Sequence, residues 1–74
     1  MRPLHVIANE IRATWNNVSP YAKPYLDAML HLQSIDDNYY LDSGRSVVMY
    51  FLSNASGYRG TDARRIKAEL KGML

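Results

Sequence analysis

The sequence contains no cysteine, and this absence removes several kinds of site at once. Without thiols the chain forms no disulfide, no thiolate zinc centre and no cysteine nucleophile. Histidine is scarce as well, with two in 74 residues, so imidazole chemistry has few candidate groups. We therefore expect neither a metal ion nor a cofactor, and a fold that well-packed helices or a partner chain must stabilise.

Long apolar runs are also absent from the sequence. The longest uncharged run, residues 46–58, is too short and too polar at its end to cross a bilayer. The start of the chain lacks the apolar core of a secretion signal, because Asn9, Glu10 and Arg12 interrupt it. These features predict a soluble, cytoplasmic protein that does not contact membranes.

The length and the charge pattern indicate one small domain with a polarised surface. A chain of 74 residues, 47% hydrophobic and 22% charged, predicts a single folded domain over residues 1–74. Residues 1–44 carry three basic and five acidic side chains, a net charge of −2, whereas residues 45–74 carry six and two, a net charge of +4. Acidic and basic ends favour a partner that is attracted electrostatically.

The spacing of the apolar residues predicts four short helices. These helices are expected over residues 4–16, 24–33, 42–55 and 61–74, the last of them capped by Thr61. Residues 34–42 are expected to form a loop or one short helical turn. Within that segment, Ser34 and Asp37 have the spacing of a capping box.

The third predicted helix has the broadest apolar surface. Its apolar residues cover more than half of its circumference, which is typical of a helix at the centre of a bundle. Two valines leave a strand as a competing prediction for residues 46–52, although the caps that precede the segment favour a helix. The predicted fold class is all-α, a compact bundle of three to four short helices with the third helix in the centre.

Few residues are candidates for catalysis or metal binding. His31 follows Asp27 by four residues, so the two share a helix face and could orient an imidazole or supply two metal ligands. A solvated ion pair is the favoured interpretation, because a metal site needs three or four ligands. The serines are better explained as caps and loop residues than as nucleophiles. We predict that the protein is not an enzyme.

The segment from Gly57 to Gly60 is a glycine-flanked loop that leads into the last predicted helix. Such a loop can present backbone N–H groups to an anion. It resembles the backbone-clamping loop of KH domains, but those domains also need a three-stranded sheet, which this sequence does not predict. Asp62 at the same helix start would compete with a bound phosphate. Nucleic-acid binding by this loop and the basic fourth helix is therefore the alternative function.

Tyrosines and basic residues supply the candidate contact surface. Six tyrosines suit either protein contacts or the edge of a small core, and both interpretations stay open. Arg64 and Arg65 oppose the dipole of their helix, which favours a binding role, although Arg65 could also pair with Glu69. A plainly solvated polar face is the competing interpretation. The predicted partner-binding residues are Tyr50, Tyr58, Arg59, Arg64, Arg65, Lys67 and Lys71.

Several segments of the chain resemble a set of small uncharacterised helical proteins encoded by phages and mobile elements of Firmicutes. The resembling segments are residues 34–37, 42–48, 50–55, 59–60 and 63–71. The resemblance brings no known activity and no functional residue. It implies a genomic context in which small accessory proteins commonly bind host machinery, such as CRISPR effectors.

The sequence leads to two hypotheses of function. The first is a non-enzymatic protein-binding module, an accessory protein of a phage or mobile element that binds or inhibits a host macromolecule. The second is a helical domain that binds nucleic acid. A third hypothesis is a purely structural homo-oligomer.

Overall fold

Four helices and one short hairpin make up residues 2–74, the part of the chain described by the computed structural model. The elements are α1 (Leu4–Thr14), α2 (Lys23–Met29), β1 (Asn38–Tyr39), β2 (Asp42–Ser43), α3 (Gly44–Ser53) and α4 (Thr61–Met73). The expected set of short helices is confirmed. The all-α class is too narrow, because β1 and β2 pair as a two-stranded antiparallel sheet.

Helix α1 holds the bundle together, since it packs against both α2 and α4. Its apolar stripe, which includes Leu4, Ile7 and Ile11, is fully buried. Helix α3 packs mainly against α2 and lies to one side. The central position predicted for the third helix is therefore wrong. The apolar surface of α3 is broad because part of it faces solvent, where Met49 is 51% exposed.

Helix α2 ends earlier than the sequence predicts, at Met29 rather than Gln33. The carbonyl oxygens of Leu32 and Gln33 instead accept hydrogen bonds from the backbone N–H groups of His5 and Leu4, at 2.9 and 2.8 Å. These two N–H groups belong to the first turn of α1 and have no partner within that helix. The chain after α2 is thus no longer helical, and its carbonyl groups accept hydrogen bonds from the free N–H groups at the start of α1.

The start of α3 is fixed by close contact with the preceding loop. A Cβ atom on Gly44 would lie 2.6 Å from the carbonyl oxygen of Ser34, so only glycine fits at this position. The Gly44 N–H donates to the carbonyl of Asp37 at 2.6 Å, and the Arg45 N–H donates to the carbonyl of Ile35 at 3.0 Å. Ser43 caps the helix as predicted, because its hydroxyl accepts from the N–H of Ser46.

The hairpin replaces the loop or helical turn predicted for residues 34–42. Asn38 lies opposite Ser43 and Tyr39 lies opposite Asp42, with Tyr40 and Leu41 forming the turn. Strands of two residues are too short to show an alternating pattern, and the turn lacks the Asn-Gly signal of a tight hairpin. Tyr40 instead adopts a left-handed conformation, with φ of +57°.

We expect Phe51→Ala to lower the free energy of unfolding by about 3–5 kcal/mol, because Phe51 is fully buried. Its ring also packs edge-on against that of Trp15, with the ring centroids 6.2 Å apart. Met49→Ala on the exposed side of the same helix is the matched control and should change stability little. Urea denaturation of both variants measures the difference. Equal stabilities would show that α3 buries a different face.

Candidate functional site

The loop between α3 and α4 turns Tyr58 into the core. Its ring stacks on Trp15 with centroids 5.1 Å apart, and its hydroxyl forms a hydrogen bond with the hydroxyl of Thr14 at 2.5 Å. Only 1% of Tyr58 is exposed. The partner-contact role predicted for Tyr58 is therefore corrected, since the ring is not accessible to another molecule. Its loop position gave no periodic signal of burial.

Arg65 is held in an ion-pair network that joins α4 to α1. Its guanidinium contacts the carboxylates of Glu10 and Asp62. The predicted pair between Arg65 and Glu69 does not form, because Arg2 binds Glu69 through two hydrogen bonds of 2.7 and 3.0 Å. Arg2 also contacts Glu10 at 2.8 Å. The charge of Arg65 is thus already paired within the fold and is less available to a partner.

The network shifts the pKa values of its members. Hydrogen bonds from Arg65 and then from Arg2 hold the pKa of Glu10 below its ordinary value. The hydrogen bond from Arg2 likewise lowers the pKa of Glu69. Carboxylates whose pKa is lower in the folded state stabilise it above their unfolded pKa, and this contribution disappears as the pH falls through the folded pKa.

We expect Glu10→Gln to lower the melting temperature at pH 7, because the variant loses the charge on which Arg2 and Arg65 converge. The difference from the wild type should shrink as the pH falls below the ordinary pKa of glutamate, about 4.3, and through the lowered pKa of Glu10, because the carboxylate is then protonated in the wild type as well. Asp27→Asn, at an exposed residue without an ion pair in residues 2–74, is the control. A difference that stays constant with pH would contradict this role.

Four predicted site residues remain without an ion pair within residues 2–74. They are Arg59, Arg64, Lys67 and Lys71. All are exposed except Lys67, which is half-buried and donates to the carbonyl oxygen of Tyr58 at 2.6 Å. Burial, and then the neighbouring charges of Lys71 and Arg59, lower the pKa of Lys67. Lys71 and Arg59 are therefore close enough to Lys67 to repel its charge.

A cavity of about 250 Å³ lies among these cations, between the loop and the first turns of α4. We call it the basic pocket; its lining residues are Tyr58, Arg59, Gly60, Ala63, Arg64 and Lys67. Tyr58 and Ala63 are buried and form its floor, whereas Arg59, Gly60, Arg64 and Lys67 form its accessible walls, in which aliphatic stems carry three positive charges. Such a pocket suits an apolar group that is accompanied by carboxylates or another anion.

Gly60 shapes the entrance to α4. It occupies the N-cap with φ of +110°, a left-handed conformation that favours glycine, and Thr61 is the first helical residue. The cap predicted at Thr61 is thus displaced by one residue, and no side chain caps the helix. Asp62 lies in the first turn as predicted, where its carboxylate contacts Arg65.

Tyr50, the remaining predicted site residue, lies on a different part of the surface. It is 56% exposed, and its ring stacks on Tyr25 of α2 with centroids 5.5 Å apart. It does not line the basic pocket. The structure thus brings together only part of the predicted site, namely Arg59, Arg64 and Lys67 in the pocket with Lys71 beside them.

The tip of the hairpin is a surface that the sequence did not place in the site. Leu41 is fully exposed and Tyr40 is 87% exposed. The ring of Tyr39 supports the tip, because it packs against the rings of Tyr40 and His31, with centroids 4.8 and 5.9 Å apart. The run Tyr39-Tyr40-Leu41 inside an acidic segment was the sequence signal that could have indicated an exposed apolar surface. The ion pair predicted between His31 and Asp27 is absent, because α2 ends before His31.

A larger cavity, of about 460 Å³, opens between the start of the chain and residues 33–37. Its charged groups include Arg2, which belongs to the ion-pair network, and Asp37. The Asp37 carboxylate accepts from the N–H groups of Gln33 and Ser34, and these bonds lower its pKa. Because these groups stabilise the fold, this cavity is a weaker candidate than the basic pocket.

Metal-ligating side chains do not cluster in residues 2–74. No group of three or more metal-ligating side chains is close enough to hold an ion in this range. No helix in the same range has the length and apolar character needed to cross a membrane. The chain matches no protein-family model, no curated protein sequence and no solved structure.

Proposed function

We propose that the protein is a small non-enzymatic binding module that engages an acidic surface of another protein through the basic pocket and Lys71. The observation that carries this proposal is the group of like charges without counter-charges in their own fold. Elsewhere on α4 the same fold pairs its charges, as Arg65 and Glu69 show. The unpaired cations of α4 thus lie in the pocket and at its border.

Repulsion within this group favours a bound anion. Burial, and then the charges of Lys71 and Arg59, lower the pKa of Lys67, so an approaching negative charge would stabilise its charged form. Arg64 lies in the first turn of α4, where a positive charge opposes the helix dipole. A partner carboxylate would relieve both effects. These two unfavourable interactions lower the stability of the fold, which is typical of residues that serve binding.

The resemblance to small proteins of phages and mobile elements supplies a class of partner. If that resemblance holds, the setting it implies is one in which small accessory proteins commonly bind host machinery. We therefore propose a bacterial host protein with an acidic surface, such as a component of a defence system, as the partner. Binding would mask that surface and inhibit its normal contacts.

Nucleic-acid binding is the second candidate, because cations around a glycine loop also suit phosphates. The residues expected to contact phosphates in that case are Tyr58, Arg59, Arg64, Arg65 and Lys67, and two of them are not available for this purpose. Tyr58 is buried, so it cannot stack on a base, and the charge of Arg65 is paired. The pocket is left with three cations and no exposed aromatic ring. These losses favour a protein partner.

Replacing Arg59 and Arg64 together by alanine should reduce capture of the partner while changing the melting temperature little, because both side chains are exposed and unpaired. The matched control is the double variant Arg12→Ala and Lys23→Ala. It removes the same charge from exposed, unpaired residues outside the pocket. The measurement is quantitative comparison of the proteins captured from a bacterial lysate by wild type, variant and control.

The expected result is a set of proteins retained by wild type and control but lost with the pocket variant. Equal capture by all three would contradict the proposal. A salt series with generic duplex and single-stranded DNA and RNA tests the second candidate. Binding that is steeply salt-dependent and lost in the pocket variant would support nucleic acid instead.

A further inference from the structure

The hairpin tip is the most exposed apolar feature of the fold. Leu41 is fully accessible to solvent, so no group of the same molecule covers it, and Tyr40 beside it is 87% exposed. Single exposed apolar residues are common on proteins, but here two of them are adjacent at the end of a projecting turn. The left-handed backbone of Tyr40 is costly for a non-glycine residue. The turn therefore holds the tip in a conformation that local preference does not favour.

The base of the hairpin is built rigidly. Gly44 touches the backbone of Ser34 too closely for any side chain, and its N–H bonds the carbonyl of Asp37. The Asp37 carboxylate in turn fixes the loop by accepting two backbone N–H groups. Tyr39 anchors the first strand against His31. A tip held in this way loses little conformational entropy when it docks.

The surroundings of the tip are acidic. Residues 24–44 contain four aspartates and neither lysine nor arginine. Asp42 lies in β2 next to the tip, and Asp36 and Asp37 precede β1 at the base of the hairpin; all three are exposed and have no ion-pair partner in residues 2–74. The natural complement of this surface is an apolar pocket with a basic rim.

The basic pocket of the same chain has that chemistry. Its accessible apolar surface comes from the aliphatic stems of Arg59, Arg64 and Lys67, whose charged ends form the basic rim, because Tyr58 and Ala63 beneath them are buried. Its volume of about 250 Å³, open to solvent on one side, leaves room for a leucine side chain. Apolar group, volume and charge sign thus all match between tip and pocket.

We propose that the hairpin tip of one copy, with Leu41 as its apolar anchor, docks into the basic pocket of a second copy. This inference rests on the proposed function, because it assigns an occupant to the same pocket. Self-association would then compete with the acidic partner and keep the pocket covered until that partner binds. The acidic, apolar tip also illustrates the kind of surface that the partner presents.

The contact joins two different surfaces, so each copy keeps one free tip and one free pocket. Such a head-to-tail contact extends into chains or closes into rings and does not stop at a dimer. The surface involved is small, and we expect weak association with a dissociation constant on the order of 0.1–1 mM. Added salt should weaken it, because the charges lie at the surface.

Sedimentation equilibrium over a concentration series that extends into the millimolar range tests the inference. The weight-average mass of the wild type should rise above the 8.5 kDa of one chain and continue to rise beyond twice that value. Leu41→Ser and Arg64→Glu should each remain monomeric. The matched controls, Met49→Ser and Arg12→Glu, change exposed residues outside the tip and the pocket and should associate as the wild type does.

Mixing the two association-defective variants gives a sharper test. Leu41→Ser retains an intact pocket and Arg64→Glu retains an intact tip. The tip of Arg64→Glu can therefore occupy the pocket of Leu41→Ser, and no second contact can form. An equimolar mixture should form a heterodimer with about twice the mass of one chain and grow no further. No association in the mixture, or association by either variant alone, would overturn the head-to-tail contact.

The outcomes also separate this inference from the proposed function. A wild type that stays monomeric, together with partner capture that depends on Arg59 and Arg64, overturns self-association and leaves the binding module intact. Association that follows the predicted pattern, together with capture that is unaffected by the pocket, overturns the proposed function instead. Leu41→Ser should still capture the partner, because its pocket is unchanged.

Discussion

The stacking of Tyr58 on Trp15 is the interaction on which the functional surface depends. Trp15 follows the end of α1, and its ring contacts Tyr58 on one face and the edge-on ring of Phe51 at 6.2 Å. Three elements therefore meet at one indole: α1, α3 and the loop that leads to α4. A buried aromatic cluster of this kind contributes several kcal/mol in a domain whose total stability is of similar size.

Burial of Tyr58 decides what the neighbouring residues can do. With this ring in the core, Arg59 and Gly60 are exposed. The carbonyl oxygen of Tyr58 accepts from Lys67, so the same residue positions a cation of α4. The basic pocket is thus a consequence of core packing. The ion-pair network of Arg2, Glu10 and Arg65 supports the same arrangement by holding α4 against α1.

The helices were predictable because their signals are periodic and local. The stripe of Leu4, Ile7 and Ile11 and the cap at Ser43 determine α1 and α3 from neighbours a few residues away. The hairpin was not predictable, since its strands have two residues each and a close approach of Gly44 to Ser34 fixes its base. That contact exists only after the chain has folded.

The candidate site was predictable in its charges but not in its geometry. The excess of basic residues in the last third of the chain pointed to Arg59, Arg64 and Lys67. Sequence spacing could not reveal that Arg65 pairs with Glu10, 55 positions away, or that Arg2 takes Glu69. Nor could it separate Tyr58, which is buried, from Tyr50, which is exposed, because the difference depends on a tertiary contact with Trp15.

The most direct test of this account is the stability of Tyr58→Ala compared with that of Tyr50→Ala. Trp15 is the single tryptophan of the chain, so its fluorescence during urea denaturation reports on the cluster in both variants. We expect Tyr58→Ala to lower the free energy of unfolding by about 3–5 kcal/mol, whereas Tyr50→Ala should change it by less than about 1 kcal/mol. A Tyr58→Ala variant as stable as the wild type would show that the ring lies at the surface, and the basic pocket described here would not exist.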